Sequence, residues 1–371
     1  IKSIKEMKKK FFNILVITLL CGLKLLSQDL NNFQYPNVQK PSYRMTINIP
    51  DILGFRTLKC DFHMHTVFSD GSVWPTVRID EAWEEGLDAI SITDHIENQP
   101  SKKYVTGDHN SSYELAAGYA LEKNIILIRG GEITRAMPPG HLNALFLSDV
   151  NLVDVPDVTD ALLAAKKQGA FILWNHPGWK AQQPDTCRWM PMHEKLFGMG
   201  LINGIEVFNE QEYYPVALDW CLIRNLTVLC NSDVHGITAN FYKLESGHRP
   251  MTLVFARTKT AESIREALFK QQTVAFFDNT LAGNEEYLKA IFNVSVKIVN
   301  TGIPGGKNRF IHEMSNSSDI PYTLIFKGKE SITIPANGSI SFPLNNSDLA
   351  EVSIKNLITG SGSILKMKLN P

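Results

Sequence analysis

The sequence predicts an α/β barrel followed by a small all-β domain. Three observations predict it. Short β-rich runs alternate with helical stretches from residue 57 to about 270; helical patterning stops after about 290; and residues able to hold metal ions recur at the ends of the predicted strands.

The strand-like runs fall at 57–62, 88–93, 125–132, 142–147, 170–175, 203–208 and 226–230, and helical candidates at 76–85, 112–123, 157–168, 214–223 and 260–270. Such alternation argues for a parallel β/α architecture, and about seven strands suit a barrel better than a small open sheet. From 293 to 371 no helix is predicted. The runs 322–327, 331–335, 338–342 and 351–355 are β-like and are separated by Gly, Asn and Ser turns, as in a small sandwich. Asn300-Thr301-Gly302 and Pro304-Gly305-Gly306 read as loops near its start. The expected organisation is a lead-in at 29–56, marked by Pro36, Pro41 and Pro50, a catalytic barrel at 57–290 and a β-sandwich at 293–371.

Residues 1–28 read as a secretory signal peptide. Lys8, Lys9 and Lys10 precede an apolar run from Phe11 to Leu20, and cleavage is expected near Ser27. Asn13 and Lys24 leave the run short for a spanning helix, so no stable membrane span is expected. Leu19 and Leu20 precede Cys21 where a lipoprotein signal carries a small residue. Export to the periplasm or the medium follows as an expectation. Of the remaining cysteines, Cys60, Cys187, Cys221 and Cys230, the first and last sit in apolar runs and read as buried hydrophobes rather than disulfide partners. The net charge of −1 argues against duplex nucleic acid as a partner. A small ligand is expected instead.

The chemistry is concentrated in Asp61-Phe62-His63-Met64-His65-Thr66, at the end of the first run. Side chains alternate along a strand, so Asp61, His63 and His65 share one face, and two imidazoles so spaced can grip one metal ion. Asp70 follows. The pattern recurs: Asp94-His95 after Ile90-Ser91-Ile92, Glu132 after Ile126-Leu127-Ile128, His141 at the opening of the next strand, His176 after Phe171-Ile172-Leu173-Trp174, and Asp233 and His235 after Leu226 to Leu229. Six of the ten His lie in these places. One such His would read as an ordinary polar residue, and Asp94 alone as a helix cap. Together they would place several carboxylates and imidazoles in one cleft, which is costly unless cations compensate. The ligand types suit zinc, manganese or iron.

The segments HMHTVFSDG, ITDH, GGE, GH, NHPG and SDVHG, spanning residues 61–236, resemble the ordered motif set of the PHP (polymerase and histidinol phosphatase) family. The resemblance implies a distorted seven-stranded β/α barrel with two or three metals that hydrolyses phosphomonoesters or phosphodiesters. It implies that His63, His65, Glu132 and Asp233 hold a first ion, that Glu132 bridges to a second held by His141 and His176, and that Asp70, His95 and His235 hold a third. Some members carry His where this chain has Asp70; an oxygen ligand there favours a harder ion such as manganese or iron. The leader, GGEITRAMPPGH and the C-terminal β module are similar to exported Sb-PDE-type phosphodiesterases of the family.

The mechanism expected from these ligands is in-line attack by a metal-bridged hydroxide, with Glu132 and Asp233 central to the cluster. Arg135 is a candidate phosphate clamp, and His109 a candidate acid for the leaving alkoxide. Trp174, Trp179 and Trp189 surround the His176 segment and could line an apolar pocket, though packing is the expected role for Trp174. His193, His248 and His312 match no motif and read as structural or exposed. The sparse positive charge near the motifs favours a diesterase. The alternatives are a monoesterase of the same family and, further off, an amidohydrolase-type enzyme, whose usual metal-bridging Lys occupies no motif here. A non-catalytic binding protein would have lost ligands, and none is lost.

Overall fold

The computed structural model describes residues 3–10, 35, 38 and 42–370, apart from 307 and 328–330. The apolar run from Phe11 to Leu20 and Cys21, on which the signal-peptide expectation rests, lie outside the described residues. Residues 3–10 form an exposed helix, α1. Among the described residues no helix is long and apolar enough to cross a membrane.

The predicted strands of the first half appear as β1 (Arg56–Asp61), β2 (Ala89–Ile92), β3 (Ile126–Ile133), β4 (Leu142–Leu145), β5 (Phe171–Trp174), β6 (Gly204–Asn209) and, after the two-residue β7 (Glu212–Tyr213), β8 (Thr227–Asn231). The predicted helices appear as α2 (Pro75–Glu84), α3 (Ser111–Glu122), α4 (Val158–Lys167), α6 (Pro215–Arg224) and α7 (Ala261–Phe269); α5 (Pro191–Gly198) is additional. Their ends follow local chemistry. Pro75 and Pro215 stand in first turns, where a missing N–H costs nothing. The side chains of Asp157 and Thr260 accept from the N–H groups of Asp160 and Ser263. Asn225, in the left-handed region at φ 56°, stops α6.

The expected all-parallel order is corrected in two places. Strands β1, β2 and β3 pair in parallel, as do β5, β6 and β8. Strand β4, however, lies antiparallel between β3 and β5. An unpredicted strand, β9 (Met251–Ala256), lies antiparallel beside β1. The hydrogen-bonded order is thus β9-β1-β2-β3-β4-β5-β6, with β8 on β6. The two ends of this order meet through hydroxyls. Thr252 Oγ1 accepts from Cys230 N and donates to Cys230 O, each at 2.9 Å, and Thr273 Oγ1 donates to Val228 O at 2.7 Å. Backbone groups that lack a ladder partner are satisfied in this way. One interior apolar cluster draws on Leu58 and Cys60 of β1, Leu173 of β5, Leu229 of β8 and Val254 of β9. Cys60, Cys221 and Cys230 are buried and none of the four described cysteines is in a disulfide.

Strands β10 (Thr273–Phe277) and β11 (Thr280–Gly283) continue outward from β9 as an antiparallel meander. Helix α8 (Glu285–Ser295) crosses the expected linker, capped by Asn284 with Glu285 and Glu286 in its first turn. Beyond it, β12 (Val296–Pro304), β13 (Phe310–Asn316) and β16 (Ser339–Leu344) form a three-stranded antiparallel sheet. Strands β14 (Tyr322–Phe326), β15 (Ile332–Ile334), β17 (Val352–Gly360) and β18 (Ser363–Met367) form a second layer, which joins the large sheet where β17 pairs in parallel with β11. Val296, Met314 and Leu344 from the first layer share an apolar cluster with Tyr322, Leu324 and Ile354 from the second. Two expectations are corrected here. A short helix, α9 (Asn346–Ala350), interrupts the all-β run. The predicted loop Asn300-Thr301-Gly302 is a register irregularity inside β12, where Gly302 N donates to Asn300 Oδ1.

Candidate metal centre

The site lies along one edge of the large sheet, where the C-terminal ends of β1, β2, β3, β5 and β8 converge. Two isolated bridges prolong the strands there, Met64 with Val234 and His95 with Glu132. His141 comes just before β4 rather than after it. Because β4 runs antiparallel, its entrance lies on the same edge as its neighbours' exits.

The nine sequence-predicted ligands come together. His63 Nε2 and His65 Nε2 stand 3.1 and 2.9 Å from Asp233 Oδ1, and 3.3 and 3.4 Å from Glu132 Oε2. The other oxygen of Glu132 faces His141 Nδ1 at 3.0 Å and His176 Nε2 at 3.7 Å. Asp70 Oδ1 lies 3.2 Å from His235 Nε2 and 3.5 Å from His95 Nε2, while the Nδ1 of His95 turns to Glu132 at 2.8 Å. Three groups have ligand atoms close enough to hold an ion: His63, His65 and Asp233; His95, Glu132 and His141; and His65, Asp70, His95 and His235. His95 and His65 therefore each belong to two groups.

The donor set fits metal ions. His63 Nε2, Glu132 Oε2, His141 Nδ1 and Asp70 Oδ1 are buried and have no hydrogen-bond partner in the protein, and each faces another residue of the cluster. Buried polar atoms are seldom left so, and a cation between them supplies the missing partner. The charges make the same demand. Burial alone would raise the Glu132 carboxyl, but the imidazoles of His95 and His63 hold it well below the usual range. Burial likewise opposes, and the imidazoles of His63 and His65 enforce, a strongly lowered Asp233. His95 is pushed up to about 9 against its burial, by Glu132 and Asp70. His65 is carried down to about 4 by burial, with Asp233 opposing and His235 and His95 assisting.

The supporting residues explain the positions. His176 and Asp233, each two residues past a strand, have φ of 25° and 51°, a left-handed backbone uncommon for non-glycine residues. A Cβ on Gly71 would lie 2.6 Å from Thr66 N, so only glycine permits the tight loop that returns Asp70 to the cluster. Arg78, fully buried, donates to the carbonyls of His65, Val234 and Gly236 and ties the β1 and β8 loops together. Asp61, read as sharing a face with the two His, points away from them in function: it accepts from Ser232 Oγ at 2.5 Å and pairs with Arg249 at 3.1 Å. Asp94 likewise accepts from Thr66 and Ser69 rather than joining the ligands.

Glu206 was not singled out from the sequence. Its Oε1 accepts from His63 Nδ1 at 2.8 Å and Asn231 Nδ2 at 2.9 Å, and its Oε2 from His176 N and Asn209 Nδ2, each at 2.8 Å. The first bond fixes the His63 tautomer that turns Nε2 to the cluster, a standard device of metal-binding His. Asn175 Nδ2 does a similar service for Glu132 Oε1 at 2.8 Å. The only signal for Glu206 was a single acid inside the apolar run Ile205 to Phe208.

The two other catalytic candidates lie apart from the cleft lining. Arg135 pairs with Glu97 and donates to Thr134 O and Val155 O, so its guanidinium holds loops together and does not line the cleft. His109 is held by Gln99 at 3.0 Å and Asp154 at 3.2 Å, in a network that anchors the start of α3, and it too is absent from the cleft lining. Arg129 donates to Ser148 O and lies over Tyr113. Of the tryptophans only Trp179 lines the cleft, beside His141 and His176. Trp174 stacks on His193 and Trp220 in the core, with Trp189 against them. His193 and His312 are buried, as a structural role requires, and His248 stacks on Phe276. The cleft measures about 270 Å³ and adds Asn98, Thr134, Asn209 and Glu210 to the predicted residues.

No protein-family profile matches the chain, and no curated protein matches it. Among solved structures it is similar to a two-domain protein from Bacteroides vulgatus, described as containing a predicted PHP-like metal-dependent phosphoesterase, at 42% identity and a TM-score of 0.84, over 89% of this chain and 99% of that one. Two more distant structures carry no argument at their similarity. One, from Bifidobacterium adolescentis, is put forward as a metal-dependent phosphoesterase (16% identity, TM-score 0.39, 57% of this chain, 96% of that one). The other is an amidohydrolase from Chromobacterium violaceum with bound sulfate (14%, 0.37, 49% and 89%).

Proposed function

The chain belongs to the family of PHP-like metal-dependent phosphoesterases, and from that premise we propose that it hydrolyses phosphodiesters in preference to monoesters. The observation that supports the diester reading is the lining of the cleft. No Arg or Lys is among its residues. A monoester brings about two negative charges and calls for cationic side chains around its terminal oxygens beyond any metal ions, whereas a diester brings one and does not.

In this reading His63, His65, Asp233 and Glu132 hold one ion, Glu132 with His141 and His176 a second, and Asp70, His95 and His235 a third. Zinc, manganese or iron suits the donors. Divalent ions held by these residues would supply Lewis acidity. The chain's own residues set the geometry. Glu206 orients His63, Asn175 orients Glu132, and Arg78 locks the two loops that carry His65 and Asp233. Trp179 covers one side of the cleft, beside His141 and His176. The sheet that positions them we read as the distorted barrel expected from the sequence, its seam made by the hydroxyls of Thr252 and Thr273. Export is part of the proposal on the strength of Lys8 to Leu20 alone, and amino-terminal sequencing of the protein recovered from outside the cytoplasm tests it.

The decisive experiment compares kcat/KM of the metal-loaded enzyme on an aryl phosphodiester and the matching monoester. The expected preference for the diester is about tenfold, equivalent to about 1.4 kcal/mol in the transition state. A tenfold preference the other way assigns the chain to the phosphatases of the family.

A further inference from the structure

Beside the metal cleft lies a second, larger cavity of about 470 Å³. Glu210, at the β6–β7 turn, lines both, so the two spaces share a wall. The cleft alone, at about 270 Å³, falls below the roughly 300–1,000 Å³ of ordinary small-molecule sites; the neighbour falls within that range. Its walls are aromatic. Phe208 and Phe277 stack with ring centroids 4.1 Å apart, and Phe241 stands half exposed at the mouth. Tyr242 pins this loop to the metal edge by donating to Ser232 O at 3.1 Å and Glu210 O at 3.3 Å. The position of the cavity is therefore fixed relative to Asp233, which follows Ser232. Its charged lining residues, Lys243 against Glu210 and Asp278, leave one net negative charge, which disfavours an anionic arm. The other large cavity, lined by Cys187, Tyr214 and Ser361, shares no residue with the cleft.

We infer that the cavity behind Glu210 receives the retained organic arm of the substrate, and that this arm is aromatic and carries no negative charge. The inference rests on the diester reading, because a monoester has no retained arm. With phosphorus at the metal edge, the leaving group faces open solvent or Trp179 and the second substituent crosses Glu210 into the aromatic chamber.

The test is a binding measurement, so that it reads the cavity whether or not turnover follows. Diphenyl phosphate and dimethyl phosphate are titrated calorimetrically into the metal-loaded protein. Diphenyl phosphate is expected to bind at least tenfold more tightly. Ser246→Trp, which fills the cavity from its rim, and Phe241→Ala, which removes part of its wall, are each expected to bring the ratio of affinities to within about threefold. A ratio is read because a general loss of folding or metal lowers both affinities together. Equal affinities in the unaltered protein, or a ratio untouched by both substitutions, overturns the inference. A preserved binding preference without hydrolysis of any diester sinks the diesterase reading and with it the assignment to a retained arm, and leaves only the cavity's affinity for an aromatic substituent.

Discussion

The strands that carry the metal site and the strands of the C-terminal module are built on opposite rules. In β2, β4, β5, β6 and β8 every residue is buried. In β13, β14 and β17 buried positions alternate with more exposed ones. The first are sheet strands covered on both faces and the second have one face towards water. A strand covered on both faces has no place for a charged side chain except at its end, so the acids and imidazoles of this chain collect on one edge. Glu132 and Glu206 are the exceptions inside strands: Glu206 is saturated by donors, and Glu132 is bonded at Oε1 and turns Oε2 to the cluster. The module's alternating strands have an outlet for polar residues at every second position and gather no such cluster. Function therefore depends on charge in one region and on packing in the other, and substitutions should separate the two.

The largest effect is expected at Glu132. Glu132→Gln keeps shape but removes the charge that both faces of the cluster share, and kcat/KM should fall by about 10³-fold or more, with the thermal transition retained. Wild-type turnover in this variant would show that the cluster is not the active site. In the other region Tyr322→Ala should act in reverse. Its ring is buried edge-on against Phe292 and its hydroxyl donates to Ser295 Oγ. Loss of the side chain should destabilise the fold by about 3 kcal/mol while turnover per folded molecule holds, as denaturant unfolding beside active-site titration would reveal. A smaller effect follows at Glu206. Glu206→Gln should weaken metal binding by about 10–100-fold, measured by competition with a chromophoric chelator; unchanged affinity would reduce Glu206 to a structural acid. The smallest effect belongs to Arg135→Ala. With its guanidinium on loop carbonyls and Glu97, kcat/KM should move by no more than about threefold, and equally for mono- and diesters. A selective loss on the monoester would restore it as a phosphate clamp.

What could be read from the sequence, and what could not, divides along physical lines. The ligands were legible because strand ends are set by local patterning, and chemistry follows from residue type at those ends. His141 was found even though β4 runs backwards, since its place in the motif order did not depend on strand direction. Strand β9 was missed because no helix precedes it: the long stretch from Ser232 to Pro250 carries site and loop residues and breaks the β/α alternation. Glu206 was missed because its role depends on what β6 faces, and that is set by pairing with β8 rather than by its neighbours in sequence. The positions of Arg135 and His109, away from the cleft lining, were illegible for the converse reason. Closeness to Glu132 along the chain, or a place in a polar loop, does not say where a side chain on a connecting segment will point.

The parallel pairing of β17 with β11, Leu281 opposite Leu357 and Ala282 opposite Ile358, has a practical consequence. A shortened protein ending near residue 290 would keep the whole metal edge yet leave β11 as a bare outer strand, its amides and carbonyls turned to solvent. Such an edge is a template on which another copy can add. The C-terminal module covers that edge, and solubility rather than catalysis is the first property that truncation is expected to cost.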